Sequence, residues 1–257
     1  MASFSNNTND PPLKNNDSVV NDTVSAPAKK ENLSEIKSFD ELDIPEQLLR
    51  GIYSHGFENP SPIQGKAINP VIAGRDVIAQ AQSGTGKTGA FLIGSMARVD
   101  LSILQPQVIV LCPNRELANQ IFFNFESLNI HLGIKGALIM GGTGVEDNFK
   151  ALDAGAQFIV GTPGRVYDMM KRYVLKTSKL KTFVMDEADE MLSKGFKDQV
   201  YEIFQFVPPN TQTCIFSATM PPHAIEITEK FMKNPVSLLI KTEMVTLDGI
   251  SQYYLGI

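Results

Sequence analysis

The stretch AQSGTGKT, residues 81–88, determines the fold. Gly84 and Gly86 allow backbone N–H groups to face an anion, and the loop leads directly into a predicted helix N-terminus, where phosphate groups bind favourably. Lys87 is expected to contact the β and γ phosphates of a nucleotide, and Thr88 to bind Mg²⁺. The loop also follows a predicted buried strand, DVIAQA, as a phosphate-binding loop requires.

The other loop residues, Ala81, Gln82, Ser83 and Thr85, are expected to line the same phosphate site. Ala81 stands where the usual pattern has glycine. That departure leaves a glycine-rich turn without a ligand as the alternative interpretation.

Bulk properties favour one large domain. The chain has 257 residues, 43% of them hydrophobic, and no stretch long and apolar enough to span a membrane. Its two cysteines, Cys112 and Cys214, lie in apolar runs and are expected to be buried packing thiols. The net charge of −5 argues against a nucleic-acid binder that works by bulk charge. Any contact with a nucleic acid must therefore be local and geometric.

Apolar runs alternate with amphipathic stretches along most of the chain. DVIAQA, QVIVLCP, KGALIM, AQFIVG, KTFVMDE and TCIFSA are each followed by a predicted helix. This alternation predicts an α/β fold, in which helices cover both faces of a parallel sheet and ligands bind at the carboxyl ends of the strands.

Two helices are predicted before the loop. The first covers about residues 45–55, with Pro45 in its first turn and a capping box from Asp43 and Glu46. The second begins at Ser61 and Pro62. Residues 1–35 are rich in Asn, Ser, Asp and Pro and are predicted to form a disordered tail.

A pair of carboxylates follows a buried strand in KTFVMDEAD. Asp186 is predicted to hold Mg²⁺, and Glu187 to orient and deprotonate an attacking water. Taken alone, the four residues DEAD at 186–189 could form a solvated acidic turn. The phosphate loop about 100 residues upstream favours the catalytic interpretation.

With these motifs in place, the chain resembles the DEAD-box RNA helicases, most closely the translation initiation factor 4A subfamily. The signatures GFENPSPIQ, AQSGTGKT, PNRELA, GG, TPGR, DEAD and SAT occur in the family's order, and the resemblance covers about residues 38–257. It implies a RecA-like three-layer domain at 36–240 that binds ATP, Mg²⁺ and RNA.

The segment GFENPSPIQ is similar to the family's adenine-recognition motif. The resemblance implies that Phe57 stacks on the base and that Gln64 hydrogen-bonds its edge, for which a side-chain amide offers both a donor and an acceptor. The alternatives are a core aromatic for Phe57 and a helix-capping amide for Gln64.

SAT, residues 217–219, is similar to the motif that couples ATP hydrolysis to RNA remodelling in this family. Ser217 and Thr219 are expected to hydrogen-bond the DEAD segment around Asp189. Without the resemblance, a Ser/Thr strand end indicates only a turn or cap.

The resemblance also implies contacts to the RNA backbone at strand ends and helix starts. Helix N-termini and glycine backbones bind phosphates without recognising sequence, and arginines add charge-assisted hydrogen bonds. The expected residues are Asn114, Arg115, Gly141, Gly142, Thr162, Gly164 and Arg165. The family usually has Thr at the position of Asn114, and its amide can still donate a hydrogen bond. Surface salt bridging is the alternative role for the two arginines.

Residues 241–257 resemble the linker that enters the family's second RecA-like domain, whose arginines complete the catalytic site. That domain is expected to be missing here, so the fragment should bind nucleotide weakly and turn it over poorly. The sequence further predicts RNA and regulatory proteins as partners and a cytoplasmic location, with the nucleus as the alternative.

The phosphate loop leaves two other function classes open. One is a GTPase or small-molecule kinase, against which the missing Asn-Lys-x-Asp pattern argues. The other is a non-catalytic module that recruits partners. Intact Lys87, Asp186 and Glu187 argue against it.

Overall fold

The computed structural model describes residues 34–193 and 195–240. The predicted tail, apart from Ser34 and Glu35, and the predicted linker at 241–257 lie outside the described residues.

The described chain contains a seven-stranded sheet in which every pairing is parallel. Its spatial order is β3-β4-β2-β5-β6-β1-β7. The strands are β1 (Val77–Gln80), β2 (Val108–Leu111), β3 (Gly136–Ile139), β4 (Phe158–Gly161), β5 (Thr182–Asp186), β6 (Gln212–Ser217) and β7 (Val236–Leu239). The predicted parallel α/β architecture is confirmed, and β7 was not predicted.

Helices pack on both faces of the sheet. They are α1 (Glu46–Ser54), α2 (Pro62–Ile72), α3 (Lys87–Met96), α4 (Arg115–Asn129), α5 (Val145–Asp153), α6 (Pro163–Lys171), α7 (Ala188–Ser193), α8 (Lys197–Phe206) and α9 (Pro222–Phe231). Successive strand residues point to opposite faces. Val108 and Val110 of β2 therefore join one apolar cluster, while Ile109 and Leu111 join the other. Both cysteines are buried as free thiols, as predicted.

The capping prediction for the first helix is wrong. Helix α1 has Pro45 as its N-cap, and no side chain caps it. Ser38 and Glu41 form a capping box earlier in the chain, around a 3₁₀ turn at Phe39–Glu41. The predicted start of α2 is correct, since Ser61 is its N-cap.

Helices α1 and α4 cross in close contact at Gly51. A Cβ atom added at Gly51 would overlap the backbone carbonyl oxygen of Leu128. The glycine is therefore required by the approach of the two helices.

Helix α6 ends in an unusual way. Tyr173 adopts the left-handed conformation, with φ 58°. Its N–H donates to the Met170 carbonyl at 2.8 Å, and the Val174 N–H donates to the Met169 carbonyl at 3.0 Å. These bonds form a Schellman motif, in which the left-handed position is usually glycine.

Candidate functional site

The order of the strands divides the predicted functional residues into two groups. Strands β5, β6 and β1 are neighbours, and their carboxyl ends carry DEAD, SAT and the phosphate loop. Strands β3, β4 and β2 form the other half of the sheet and are followed by GG, TPGR and PNRELA. The two groups of residues therefore lie side by side along the carboxyl ends of the strands.

The phosphate loop wraps the N-terminus of α3. Gly84 and Gly86 have φ values of 80° and 100°, and Gly86 is the N-cap of the helix. Residues 82–84 are exposed, so their backbone is accessible to a ligand. Thr85 Oγ1 donates to the Gln82 carbonyl at 2.7 Å and stabilises the turn.

Lys87 is buried beneath this loop, with 6% of its surface exposed. Its Nζ donates to the carbonyl of Ala81 at 2.5 Å. Ala81 is itself buried in the core cluster, which accounts for a small apolar side chain at this position. Thr88 follows in the first turn of α3 and is half-buried.

Gln64 connects the second helix to the phosphate loop. Its Oε1 accepts from the Ser61 N–H at 2.9 Å, which completes a capping box, and its Nε2 donates to the Gly86 carbonyl at 3.2 Å. The helix-capping alternative is therefore present in the structure. The side chain also lies against the loop, where a nucleotide would bind.

Phe57 packs beside this amide. Its ring stacks on Phe39 at 6.2 Å and meets the edge of His55 at 4.6 Å. A Cβ atom at Gly89 would lie 3.1 Å from the Phe57 ring, so the glycine admits the ring to the loop. Phe57 is half-buried, and its predicted contact with adenine stays a prediction.

Asp186 ends β5 with only 3% of its surface exposed. Burial raises the pKa of its carboxyl to about 7, although the nearby Lys87 ammonium acts to lower it. A carboxylate that has lost its hydration is stabilised by a cation, so this position fits a divalent metal ion. No cluster of three or more His, Cys, Asp or Glu residues suited to a metal occurs in the described chain. Mg²⁺ typically binds through one or two protein groups together with substrate phosphates, and the Asp186 carboxylate is a group of the kind that it prefers.

The raised pKa of Asp186 predicts that stability depends on pH. Its pKa of about 7 in the folded chain exceeds the ordinary 3.8, so the folded state binds the proton more tightly. Stability is therefore lost as the pH rises from about 4 through about 7. Between pH 5 and pH 8 we expect the free energy of unfolding to fall by roughly 2–3 kcal/mol through this group.

Urea unfolding of the wild-type chain and of Asp186→Asn at several pH values measures this effect. The variant should lack this part of the pH dependence and be the more stable protein at pH 8. Parallel stability curves for the two proteins would contradict the assignment.

Glu187 has a strained backbone, with φ 51° at a residue that is not glycine. Such strain often occurs at functional positions, where the surrounding structure holds it in place. Burial and a hydrogen bond with Glu190 raise the pKa of its carboxyl, which makes its carboxylate a stronger base.

Asp189 connects the DEAD segment to SAT, with the hydrogen bonds that the sequence predicts. Its N–H donates to Ser217 Oγ at 3.2 Å. Its Oδ2 accepts from the Thr219 hydroxyl at 2.7 Å and from the Thr219 N–H at 3.0 Å. Burial acts to raise the pKa of Asp189, but hydrogen bonds from Thr219 and Ser217 outweigh it and leave the pKa below its ordinary value. The carboxylate is therefore held ionised.

These groups border a cavity of about 360 Å³ at the carboxyl ends of β5 and β6. Its lining residues are Ser83, Glu187, Asp189, Glu190, Ser193, Ala218 and Thr219. The cavity brings the phosphate loop, the strained glutamate and SAT to a common solvent space.

The seven residues predicted to contact RNA line one cavity of about 560 Å³ on the other half of the sheet. Pro113 and Phe196 complete its wall. Phe196 was missed in the sequence. The signal was an aromatic residue just before a helix start, and aromatic rings in such grooves can stack on bases.

Within this cavity Arg165 is held firmly. Its Nη1 donates to Asn148 Oδ1 at 2.6 Å and to the Thr143 carbonyl at 3.1 Å. Asn114 is the N-cap of α4, where its Oδ1 accepts from the Leu117 N–H at 2.9 Å. Because this capping bond uses only Oδ1, the side-chain NH₂ group of Asn114 remains available as a donor.

Arg115 lies against the glycine pair. A Cβ atom at Gly142 would overlap the Arg115 guanidinium, and Gly142 has φ 87°. Neither Arg115 nor Arg165 forms a salt bridge among the described residues. Surface salt bridging is therefore not observed for them.

Known families and proteins resemble this chain in both sequence and structure. Residues 61–227 match the DEAD/DEAH box helicase family. The chain is 52% identical to ATP-dependent RNA helicase eIF4A of Eremothecium gossypii over 222 residues, which is 86% of this chain and 56% of that protein. It is 53% identical to Eukaryotic initiation factor 4A-1 of Arabidopsis thaliana over 221 residues, or 86% of this chain and 54% of that protein. The chain thus spans little more than half the length of these relatives.

Solved structures share the fold. A DEAD box protein from the hyperthermophile Methanococcus jannaschii matches with a TM-score of 0.76 and 36% identity, over 79% of this chain and 56% of that one. A Saccharomyces cerevisiae Dbp5 variant bound to Gle1 and IP6 matches with a TM-score of 0.74 and 38% identity, over 80% and 53%. No helix of the described residues is both long and apolar enough to cross a membrane.

Proposed function

This chain belongs to the DEAD/DEAH box helicase family, and on that basis we propose that it forms the ATP-binding and RNA-binding half of an ATP-dependent RNA helicase. One observation carries the proposal. The phosphate-loop motif and a cavity lined by all seven residues that we expect to contact RNA lie at the carboxyl ends of strands of one sheet, and this arrangement supports both roles.

The β5-β6-β1 half takes the nucleotide. The amides of the phosphate loop and the N-terminus of α3 bind the phosphates, and Lys87 exchanges the Ala81 carbonyl for phosphate oxygens. Thr88 and Asp186 would hold Mg²⁺, which would neutralise charge on the phosphates. Glu187 orients the attacking water and accepts its proton. Gln64 and Phe57 contact the adenine from α2 and the preceding loop.

The β3-β4-β2 half takes the RNA backbone. The N-termini of α4 and α6 and the glycine pair offer N–H groups, which bind phosphates regardless of sequence. Arg115 and Arg165 supply positive charge locally, so the acidic net charge of −5 is no obstacle.

Asp189 connects the carboxyl ends of β5 and β6 within the nucleotide half. Because it is hydrogen-bonded to both Ser217 and Thr219, a shift of Glu187 or Asp186 during hydrolysis would be passed to the end of β6. A second RecA-like domain closes over both sites and completes catalysis. Translation initiation in the cytoplasm is the process we propose, from the names of the relatives, with regulatory proteins as further partners.

Binding and turnover by the 257-residue chain test the proposal. Isothermal titration should show that ATP and ADP bind in preference to GTP, and fluorescence anisotropy should show that a labelled oligouridylate binds more weakly as salt increases. Arg165→Ala should weaken RNA binding without altering ADP binding. RNA-stimulated hydrolysis should stay low until a second domain is supplied.

Preference for GTP would instead indicate another class of phosphate-loop enzyme. Vigorous RNA-stimulated hydrolysis by the chain alone would contradict the need for a second domain. Equal RNA binding by Arg165→Ala would contradict the assignment of the cavity.

A further inference from the structure

A third cavity lies at the opposite end of the sheet, where the strands begin. Its volume is about 550 Å³, and it is bounded by the segment before β2, the end of α5 and the segment after α6. Its apolar lining consists of Leu104, Pro106, Phe149, Leu152, Tyr173 and Val174. None of the predicted ATP or RNA residues lines it.

Tyr173 is the least expected of these residues. Its side chain is 79% exposed, and its backbone is in the left-handed conformation that favours glycine. The Schellman motif that ends α6 uses only the backbone of Tyr173, so the helix end does not explain the ring. Leu104 beside it is also 54% exposed. Exposed Tyr rings combine apolar area with a polar tip and are enriched where proteins bind one another.

The charges at the rim indicate what kind of ligand would fit. Lys150 and Lys176 line the cavity, and neither forms a salt bridge within the described part of the chain. Asp153 is the one acidic residue in its lining. This local excess of positive charge contrasts with the net charge of −5 for the whole chain. A ligand that complements the cavity is therefore apolar in the middle and acidic at its flanks.

We propose that this cavity is a docking site for a protein partner, which inserts an apolar side chain of an acidic linear segment against Tyr173 and Leu104. Lys150 and Lys176 then pair with the flanking Asp or Glu residues. Because the cavity lies at the amino ends of the strands, the partner can bind while the nucleotide and RNA sites stay open. The site would attach the protein to a partner without competing with ATP or RNA.

Peptide display on the full 257-residue chain tests the proposal. A phage library of random twelve-residue peptides is selected on the wild-type chain and counter-selected on Tyr173→Gly. We expect enriched sequences to contain an apolar residue flanked by Asp or Glu. The best peptide, measured by fluorescence anisotropy, should bind Tyr173→Gly at least about tenfold more weakly, as loss of an interface aromatic often does.

Matched variants separate this site from general surface effects. Phe123→Ala removes another exposed aromatic, on α4, and should leave binding unchanged. Lys150→Glu should weaken binding, whereas Lys37→Glu, at another exposed lysine, should not. The melting temperature of Tyr173→Gly should be equal to or above that of the wild type, because glycine favours the left-handed position.

Three results would overturn the proposal. One is that no selected peptide distinguishes the wild type from Tyr173→Gly. Another is that the enriched peptides are basic. The third is that a twelve-nucleotide oligouridylate binds in a way that depends on Tyr173, since the cavity would then take nucleic acid.

Discussion

Replacing Lys87 with alanine is expected to weaken ATP and ADP binding by the chain by roughly 100-fold or more. The ammonium is the one charged donor that we place on the β and γ phosphates, and charge-assisted hydrogen bonds contribute about 1.5–3 kcal/mol each. The substitution also removes the cation that acts to lower the pKa of Asp186. The Asp186 carboxyl would then be protonated more often, and Mg²⁺ would have to displace that proton in order to bind. Isothermal titration with ADP and Mg²⁺ measures the loss.

Lys87→Met is the matched control, because it keeps most of the buried stem and removes only the charge. If phosphate binding depends on charge, Met and Ala variants should lose affinity equally. Their melting temperatures report separately on the lost bond to the Ala81 carbonyl. If both variants bind nucleotide within about fivefold of the wild-type affinity, the loss in binding free energy is less than about 1 kcal/mol. That result would contradict the assignment of Lys87 to the phosphates.

Gly51→Ala is expected to destabilise the fold by about 3 kcal/mol or more, because the added methyl group has no space. It would overlap the backbone carbonyl of Leu128, which cannot rotate away as a flexible side chain could. Helix α1 must then move off α4, and the core residues Leu48 and Ile52 move with it. For a domain of this size, the melting temperature should fall by about 6–12 °C or more.

Gly141→Ala is the control for this prediction. A Cβ atom at Gly141 has no neighbour within 4 Å, and its φ is not positive. Its melting temperature should therefore match that of the wild type. Equal stability of the two alanine variants would show that α1 and α4 do not approach as closely as the structure places them.

The sequence predicted the elements that carry the site because parallel strands are buried on both faces. Such strands are near-continuous apolar runs, as in β2 and β5, and the polar residues directly after them are conspicuous. Asp186 was located in this way, Lys87 through the phosphate-loop pattern, and Thr219 only through the family resemblance. The division of the motifs into two halves was not predicted, because it depends on strand order. That order is set by contacts between segments far apart in the sequence.

Other features escaped prediction for local reasons. Strand β7 lies at a sheet edge, where its half-exposed pattern resembles a loop. The capping box expected at Asp43 and Glu46 does not form because Pro45 is the N-cap of α1, which leaves Asp43 two residues ahead of the cap. Glu46 Oε1 instead accepts from Arg50 at 2.6 Å. The left-handed backbone of Tyr173 has no sequence signal, since tyrosine is rare in that conformation.

The pairing of β1 has a consequence for how the protein is made. Its only neighbours in the described sheet are β6 and β7, and Val77 lies opposite Cys214. A nascent chain that leaves the ribosome can therefore display AQSGTGKT long before it has the strand that supports it. Non-local parallel pairing of this kind is slow, and the waiting apolar segment is prone to aggregate. During synthesis the phosphate loop should gain its ligand-binding shape only after residue 217 has emerged, so a motif near the start of the domain is one of the last to become functional.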